Sequence, residues 1–146
     1  MIATRIIVEG AGRAAQWYVA VLGAEERQRI TLPDGRLIDV ELWFGPSKVV
    51  LADEFPEHGA RSPKATGCSS AVFYLDVDDV DVVWERALAQ GATVLRPLAD
   101  WFTGERDGQI VDPLRAPVGS DPAPAGRAPR RDRAGRGRRL HDRRVT

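Results

Sequence analysis

The chain has 146 residues, enough for one ordinary domain with a real core. Its formal net charge of +0 hides an asymmetry: residues 1–113 hold 11 Lys and Arg against 18 Asp and Glu, a balance of −7, whereas residues 114–146 hold 10 Arg against 3 Asp, a balance of +7. The single cysteine, Cys68, excludes an internal disulfide and a cysteine-based zinc site, no apolar run approaches the ~20 residues of a membrane helix, and the opening MIATRIIVEGAGR does not read as a signal peptide, so the expectation is a cytoplasmic protein without a membrane partner.

Along the chain, ATRIIVEG is a short β-branched run ended by glycine and predicts a strand. In the following AAQWYVAVLG, residues Ala14, Trp17, Tyr18, Val21 and Leu22 fall on one helical stripe, and Gly23 is placed to end it. EERQRITLPDGRLIDVELWF predicts a hairpin turned by Pro33-Asp34-Gly35, since proline presets φ and glycine accepts positive φ. Its return strand alternates. Ile38, Val40, Leu42 and Phe44 are expected on one face, and Asp39, Glu41 and Trp43 on the other. KVVLA is a fourth strand. DEFPEHGARSPKATGCS lacks periodicity and predicts a loop of roughly a dozen or more residues, a length usually reserved for linkers or lids.

The pattern then restarts. SSAVFYLDV predicts a strand. In DDVDVVWERALAQG, residues Val80, Val83, Trp84, Ala87 and Leu88 repeat the earlier helical spacing, with Asp78 or Asp79 as the N-cap and Gly91 as the stop. ATVLRPLA predicts a strand broken at Pro97, and DWFTGERDGQIVDP a loop and a further strand. The order strand–helix–strand–strand–strand therefore occurs once in full and once without its final strand, an internal repeat. Module one spans about 3–54 and module two about 69–113. Residues 114–146, rich in Arg, Pro and Gly, predict a disordered basic tail. That tail has no aromatic residue for base stacking, so a nucleic-acid partner is not expected.

Tandem βαβββ modules resemble the vicinal oxygen chelate superfamily, which includes glyoxalase I, extradiol dioxygenases and the bleomycin and fosfomycin resistance proteins. The PhnB-like glyoxalase/bleomycin-resistance branch is the most similar. The likeness is carried by WYVAVLGAEE (17–26), LPDGRLIDVEL (32–42), VVLADEFPEHGARSPKATG (49–67), LDVDDVD (75–81), ALAQGATVLRPLAD (87–100) and GERDGQIVDP (104–113). It implies an α+β fold, two βαβββ modules forming a curved mixed sheet, assembled as a homodimer when the last strand is present. It also implies that Asp-Pro should be followed by a strand resembling Phe-Gly-His-x-Trp. Leu114-Arg115-Ala116-Pro117-Val118-Gly119-Ser120 stands there instead. These residues can be encoded CTT CGG GCA CCG GTG GGG TCT. Dropping the first base and continuing into the next codon reads Phe-Gly-His-Arg-Trp-Gly-Leu, so the tail after Pro113 is expected to be an out-of-frame translation of the family's C-terminus.

Metal-dependent members of the superfamily use His, Gln and Glu ligands from the first and last strands of each module, converging on a cavity with open positions. TRIIVEG offers no histidine, the family's second-module histidine position falls near Val72, and the only histidines are His58 and His141. Neither a metal nor a cofactor is expected, and a glyoxalase I reaction is not. Cys68 reads as incidental, and no Gly-x-Ser-x-Gly elbow occurs. What remains is a pocket on the concave face of the sheet, lined by Asp39, Glu41, Trp43, Val72 and Tyr74 and covered by Trp101 and Phe102, with a small-molecule ligand. An acidic body with aromatic walls suits a cationic, planar-ringed ligand. Whether the chain is an enzyme is left open. The alternatives are a metal-independent enzyme using Asp39, Glu41 or the Glu57-His58 pair as acid–base groups, or a non-functional frameshifted copy.

Overall fold

The computed structural model describes residues 2–114. The tail, His141 and the out-of-frame segment beyond Leu114 lie outside those residues. Module one consists of β1 (Thr4–Ile7), α1 (Ala11–Leu22), β2 (Glu25–Thr31), β3 (Leu37–Phe44) and β4 (Ser47–Ala52). Its four strands form one mixed sheet in the order β1-β4-β3-β2, with β1 parallel to β4 and the other pairs antiparallel. The apolar stripe of α1 buries Ala11, Ala14, Ala15, Trp17, Tyr18 and Val21. It packs on Ile6, Val40, Leu42 and Leu51 from three different strands. Val21, Val40, Leu42 and Leu51 have no exposure at all, so this is the true core of the molecule.

The N-terminus of α1 is secured from a distance. Gly10, at φ 84°, supplies the bend but no side-chain cap. The Asp53 carboxylate takes that role, accepting the Ala11 amide at 2.7 Å with one oxygen and the Leu37 amide at 2.7 Å with the other. One anion thus satisfies an orphan helix donor, complements the helix dipole and pins the start of β3.

The expected alternation of β3 is interrupted at its start. The β2–β3 register slips between Ile30, which pairs with Asp39, and Thr31, which pairs with Leu37. Ile38 is the extra residue of this bulge. Leu37 therefore takes the core position, and Ile38 joins the open face rather than sharing the helix face with Val40 and Leu42.

The stretch after β4 is more organised than its lack of periodicity predicts. It forms a 3-10 turn (Pro56–His58) closed by an isolated bridge between Phe55 and Ala60, then α2 (Pro63–Thr66). Local capping does this. The Glu54 carboxylate accepts the Ser62 amide at 2.7 Å, and the fully buried Ser62 caps α2 by accepting the Ala65 amide at 3.2 Å.

Module two holds α3 (Val80–Ala89), β5 (Thr93–Asp100) and β6 (Arg106–Val111), the strands pairing as a separate antiparallel sheet. Asp79, not Asp78, caps α3, accepting the Val82 amide at 3.1 Å. β5 runs through Pro97 instead of breaking there. The register slips between Arg96 and Ala99, so the residue with no N–H falls where none is needed in the ladder. Gly108 lets Trp84 lie against β6, because a methyl group there would sit 2.5 Å from the Trp84 ring and 3.0 Å from the Leu98 backbone.

The strand expected over SSAVFYLDV does not form; residues 69–77 carry no strand pairing. Module one gives the reason. There β1 joins its sheet only through β4. The corresponding partner in module two would follow β6, and no such strand exists among the described residues. Val72 and Tyr74 are 58% and 89% exposed. The two modules meet where α1 reaches the end of α3 and the segment after β6. Trp17 Nε1 donates to the Gln90 carbonyl at 2.8 Å, and the Tyr18 hydroxyl donates to Asp112 at 2.9 Å.

Candidate functional site

The pleat of module one puts Arg5, Asp39, Glu41, Trp43, Lys48 and Val50 on the face turned away from α1, and the bulge adds Ile38. At one end of this face lies a groove of about 390 Å³. Ile7, Ile38 and Ala52 form its floor; Leu32 and Arg36 from the hairpin turn, and Phe55, Glu57, His58 and Ala60 from the segment after β4, form its walls, with Arg5 at the edge. A second, more open concavity between the outer face of α1 and the start of β2 is lined by Gln16, Val19, Glu25 and Glu26. Both of its acids are held by arginines, Glu25 by Arg27 at 2.8 Å and Glu26 by Arg29 at 2.7 Å.

Arg36 fastens the walls of the groove together. Its guanidinium stacks 4.1 Å from the Phe55 ring centroid and bonds Asp34 at 2.8 Å and Glu57 at 2.6 Å. These bonds hold Asp34 and Glu57 below the usual carboxylate range. Arg5 is engaged more loosely. Its one ion pair, to Asp39, spans 3.5 Å, and among the described residues its guanidinium makes no hydrogen bond. Asp39 also accepts from Gln28 at 3.2 Å.

Further along the same face, Glu41 accepts from Lys48 Nζ at 2.6 Å, and that bond, helped by one from Trp43 Nε1, outweighs partial desolvation and holds the carboxylate below its ordinary value. Trp43 is flanked by cations from this chain, the Arg27 guanidinium at 4.5 Å and Lys48 Nζ at 5.8 Å from its ring. Asp39, Glu41 and Trp43 thus share a face, as the alternation predicts, but each already holds an internal cation. His58 lines the groove beside Glu57, whose charge is directed to Arg36.

The second-module residues form a separate cluster. Trp101 and Phe102 sit in the turn between β5 and β6 and do not cover the groove. Trp101 Nε1 donates to Asp107, and Arg96 bonds Asp107 at 2.6 Å while lying 5.0 Å from the Trp101 ring. Tyr74 lies within electrostatic reach of Arg96. Phe102 is 92% exposed, and Val72 lines neither concavity. The groove residues missed in the sequence, Arg5, Ile7, Arg36 and Phe55, carry only weak local signals. Arg5 and Ile7 alternate with Ile6, and Arg36 follows the Pro-Asp-Gly turn; their convergence depends on the β1–β4 pairing and on the bridge at Phe55.

Among the described residues, no group of three or more His, Cys, Asp or Glu is placed to hold a metal ion. The groove's one carboxylate, Glu57, is bonded to Arg36, and His58 is its one imidazole, so these residues fall short of the three or four converging donors that a superfamily metal would need. No helix among the described residues is long and apolar enough to cross a membrane.

The sheet order and the repeat define a glyoxalase-type α+β fold, and the sequence agrees: residues 2–118 match the Glyoxalase/Bleomycin resistance protein/Dioxygenase superfamily. The chain belongs to that superfamily. An uncharacterized protein of Mycobacterium bovis is 37% identical over 112 residues, 75% of this chain and 74% of the relative. One from Mycobacterium tuberculosis has the same identity over 66% of its own length. Among solved structures, protein PA1353 of Pseudomonas aeruginosa superposes with a TM-score of 0.64 at 19% identity, covering 80% of this chain and 92% of that one. The PhnB protein of Bacillus cereus gives 0.59 at 18%, covering 79% and 93%. TioX of Micromonospora gives 0.55 at 22%, covering 79% and 91%. These likenesses establish the fold.

Proposed function

We propose that the chain is a small-molecule-binding member of the superfamily, of the PhnB-like branch, and that its ligand lies in the groove between Ile7, Ile38 and Phe55. The observation that carries this reading is the bulge at Ile38. It turns an apolar side chain out of the core and onto the open face, beside walls fastened by Arg36. Apolar floors with a few polar groups at the rim are the usual makings of a ligand site.

The internal cations argue against the cationic, planar ligand that the acidic composition suggests. Asp39 faces Arg5, Glu41 holds Lys48, and Arg27 and Lys48 flank the Trp43 ring. Acid–base catalysis by Glu41 has a weak footing for a related reason. A carboxylate stabilised in its charged form by Lys48 is a poor base near neutrality. A fragment screen on the isotope-labelled full chain tests the reading. The expected hits shift the amides of Ile7, Ile38, Ala52 and Ala60. Hits confined to other surfaces, or none at millimolar fragment, would count against it.

A further inference from the structure

We infer that the groove selects a small organic anion, a carboxylate or an equivalent oxyanion on a short apolar body, with Arg5 as the residue that fixes the charged end. This rests on the proposal that the groove is the binding site, and it deepens that proposal by assigning the ligand's charge.

The argument is an inventory of the polar groups that line the groove. Arg36 bonds Asp34 and Glu57 through its Nε and both terminal nitrogens, and its flat face lies on Phe55. It holds the walls, and its charge is already shared between two carboxylates. Glu57 directs its carboxylate to Arg36 at 2.6 Å. Two groups remain. The Arg5 guanidinium meets Asp39 only at 3.5 Å, well beyond the ~2.7–2.9 Å of a charge-assisted hydrogen bond. The His58 imidazole makes no hydrogen bond among the described residues, although it lines the same groove. The unengaged polar capacity at the rim is therefore donor-rich, and a guanidinium fork matches a planar carboxylate in two parallel bonds.

The apolar part of the ligand follows from the floor. Ile7, Ile38, Ala52, Leu32 and Ala60 present no hydrogen-bonding side chain. A ligand bearing polar groups along its length would lose hydration there without replacement. The acids nearest the groove each face an internal cation, Asp39 facing Arg5 and both Asp34 and Glu57 facing Arg36, and the acids beyond a Debye length of about 8 Å are screened at physiological salt.

The test uses three probes of one chain length, hexanoate, hexanol and hexylamine, titrated into the isotope-labelled full chain at neutral pH. Hexanoate is expected to shift the amides of Ile7, Ile38, Ala52 and Ala60 in a saturable way. Hexanol should do so about tenfold more weakly, and hexylamine not at all, the difference being one hydrogen bond to a charged group. Arg5→Gln should lower hexanoate affinity to that of hexanol while leaving hexanol unchanged, and Arg5→Lys should fall between. Arg5 is half exposed on an edge strand, and an unchanged amide spectrum elsewhere checks that the variant is folded. Equal binding of hexanoate and hexylamine at these amides would overturn the anion inference while leaving the groove as a binding site. Hexanoate affinity unchanged in Arg5→Gln would remove Arg5 from the role. Absence of any shift at these amides with all three probes would overturn both readings.

Discussion

The two modules follow one plan and have unequal interiors. Among the described residues, every buried apolar residue except Ala87 lies between Ile6 and Ala52, in module one. In module two the helix that repeats the spacing of α1 buries Ala87 alone, and Leu88 on the same stripe stays 38% exposed. The difference is one of sheet completion rather than of helix sequence. The stripe of α1 lies on a four-stranded sheet, whereas α3 lies on a two-stranded one. A strand is held by its neighbours, and the β1–β4 pair shows that the last strand of a module is what brings the first into the sheet. In module two, polar links stand in for apolar ones. Arg106 bridges α3 to β6 through Asp81 at 2.7 Å, and Arg96 bridges β5 to β6 through Asp107 at 2.6 Å.

The sharpest way to test this inequality is to truncate a leucine at the helix–sheet interface of each module. Leu42 has no exposure and lies at the centre of the module-one core. Leu42→Ala should cost about 2–5 kcal/mol in urea unfolding, the transfer and cavity terms together. Leu88→Ala, on the α3 stripe and 38% exposed, should cost about 1 kcal/mol. Comparable losses from the two substitutions would show that the modules are equally packed.

A smaller effect should come from supplying the missing strand. A chain in which Pro113 is followed by Phe-Gly-His-Arg-Trp-Gly-Leu, the reading recovered by dropping one base, should melt higher than the chain as it stands by about 4 °C or more, the shift that ~1 kcal/mol produces in a domain of this size. Residues 71–77 should gain amide protection at the same time. Equal melting temperatures would mean that this sequence does not complete module two, and sequencing the coding DNA across Pro113 would decide whether the extra base is real.

Much of this architecture is legible in the sequence because its signals are local. The stripes of both helices, the Pro33-Asp34-Gly35 turn and the alternation from Val40 to Phe44 each depend on neighbours a few residues away. The face shared by Asp39, Glu41 and Trp43 follows from the same alternation. What the sequence hides is set by pairing at a distance. The bulge that turns Ile38 outward arises from the β2–β3 register. The cap on α1 comes from Asp53, 42 residues further along. Arg5 and His58 share a groove only because β1 lies beside β4 and the segment after β4 folds back. SSAVFYLDV has the composition of a strand, yet composition cannot supply the partner that a ladder requires.

The last prediction concerns acid. Asp81 and Asp107 are held below their ordinary value of 3.8, chiefly by hydrogen bonds from Arg106 and Arg96. A carboxylate whose folded pKa is depressed binds its proton more readily in the unfolded chain. Its contribution to stability is therefore complete above the unfolded pKa and is lost as pH falls through the folded one. Both groups are exposed, so each effect is screened and modest. Module one also has depressed carboxylates, Glu41 and Glu54 among them, but it retains a dry apolar core beneath them. As pH falls below about 4, the amides of Val94 and Ile110 should therefore lose protection before those of Val40 and Leu51, with little change between pH 5 and 7. The order can be read from hydrogen exchange of the full chain at stepped pH. Simultaneous loss across both pairs would show that the helix contacts through Trp17 and Tyr18 bind the modules into one cooperative unit despite their unequal interiors.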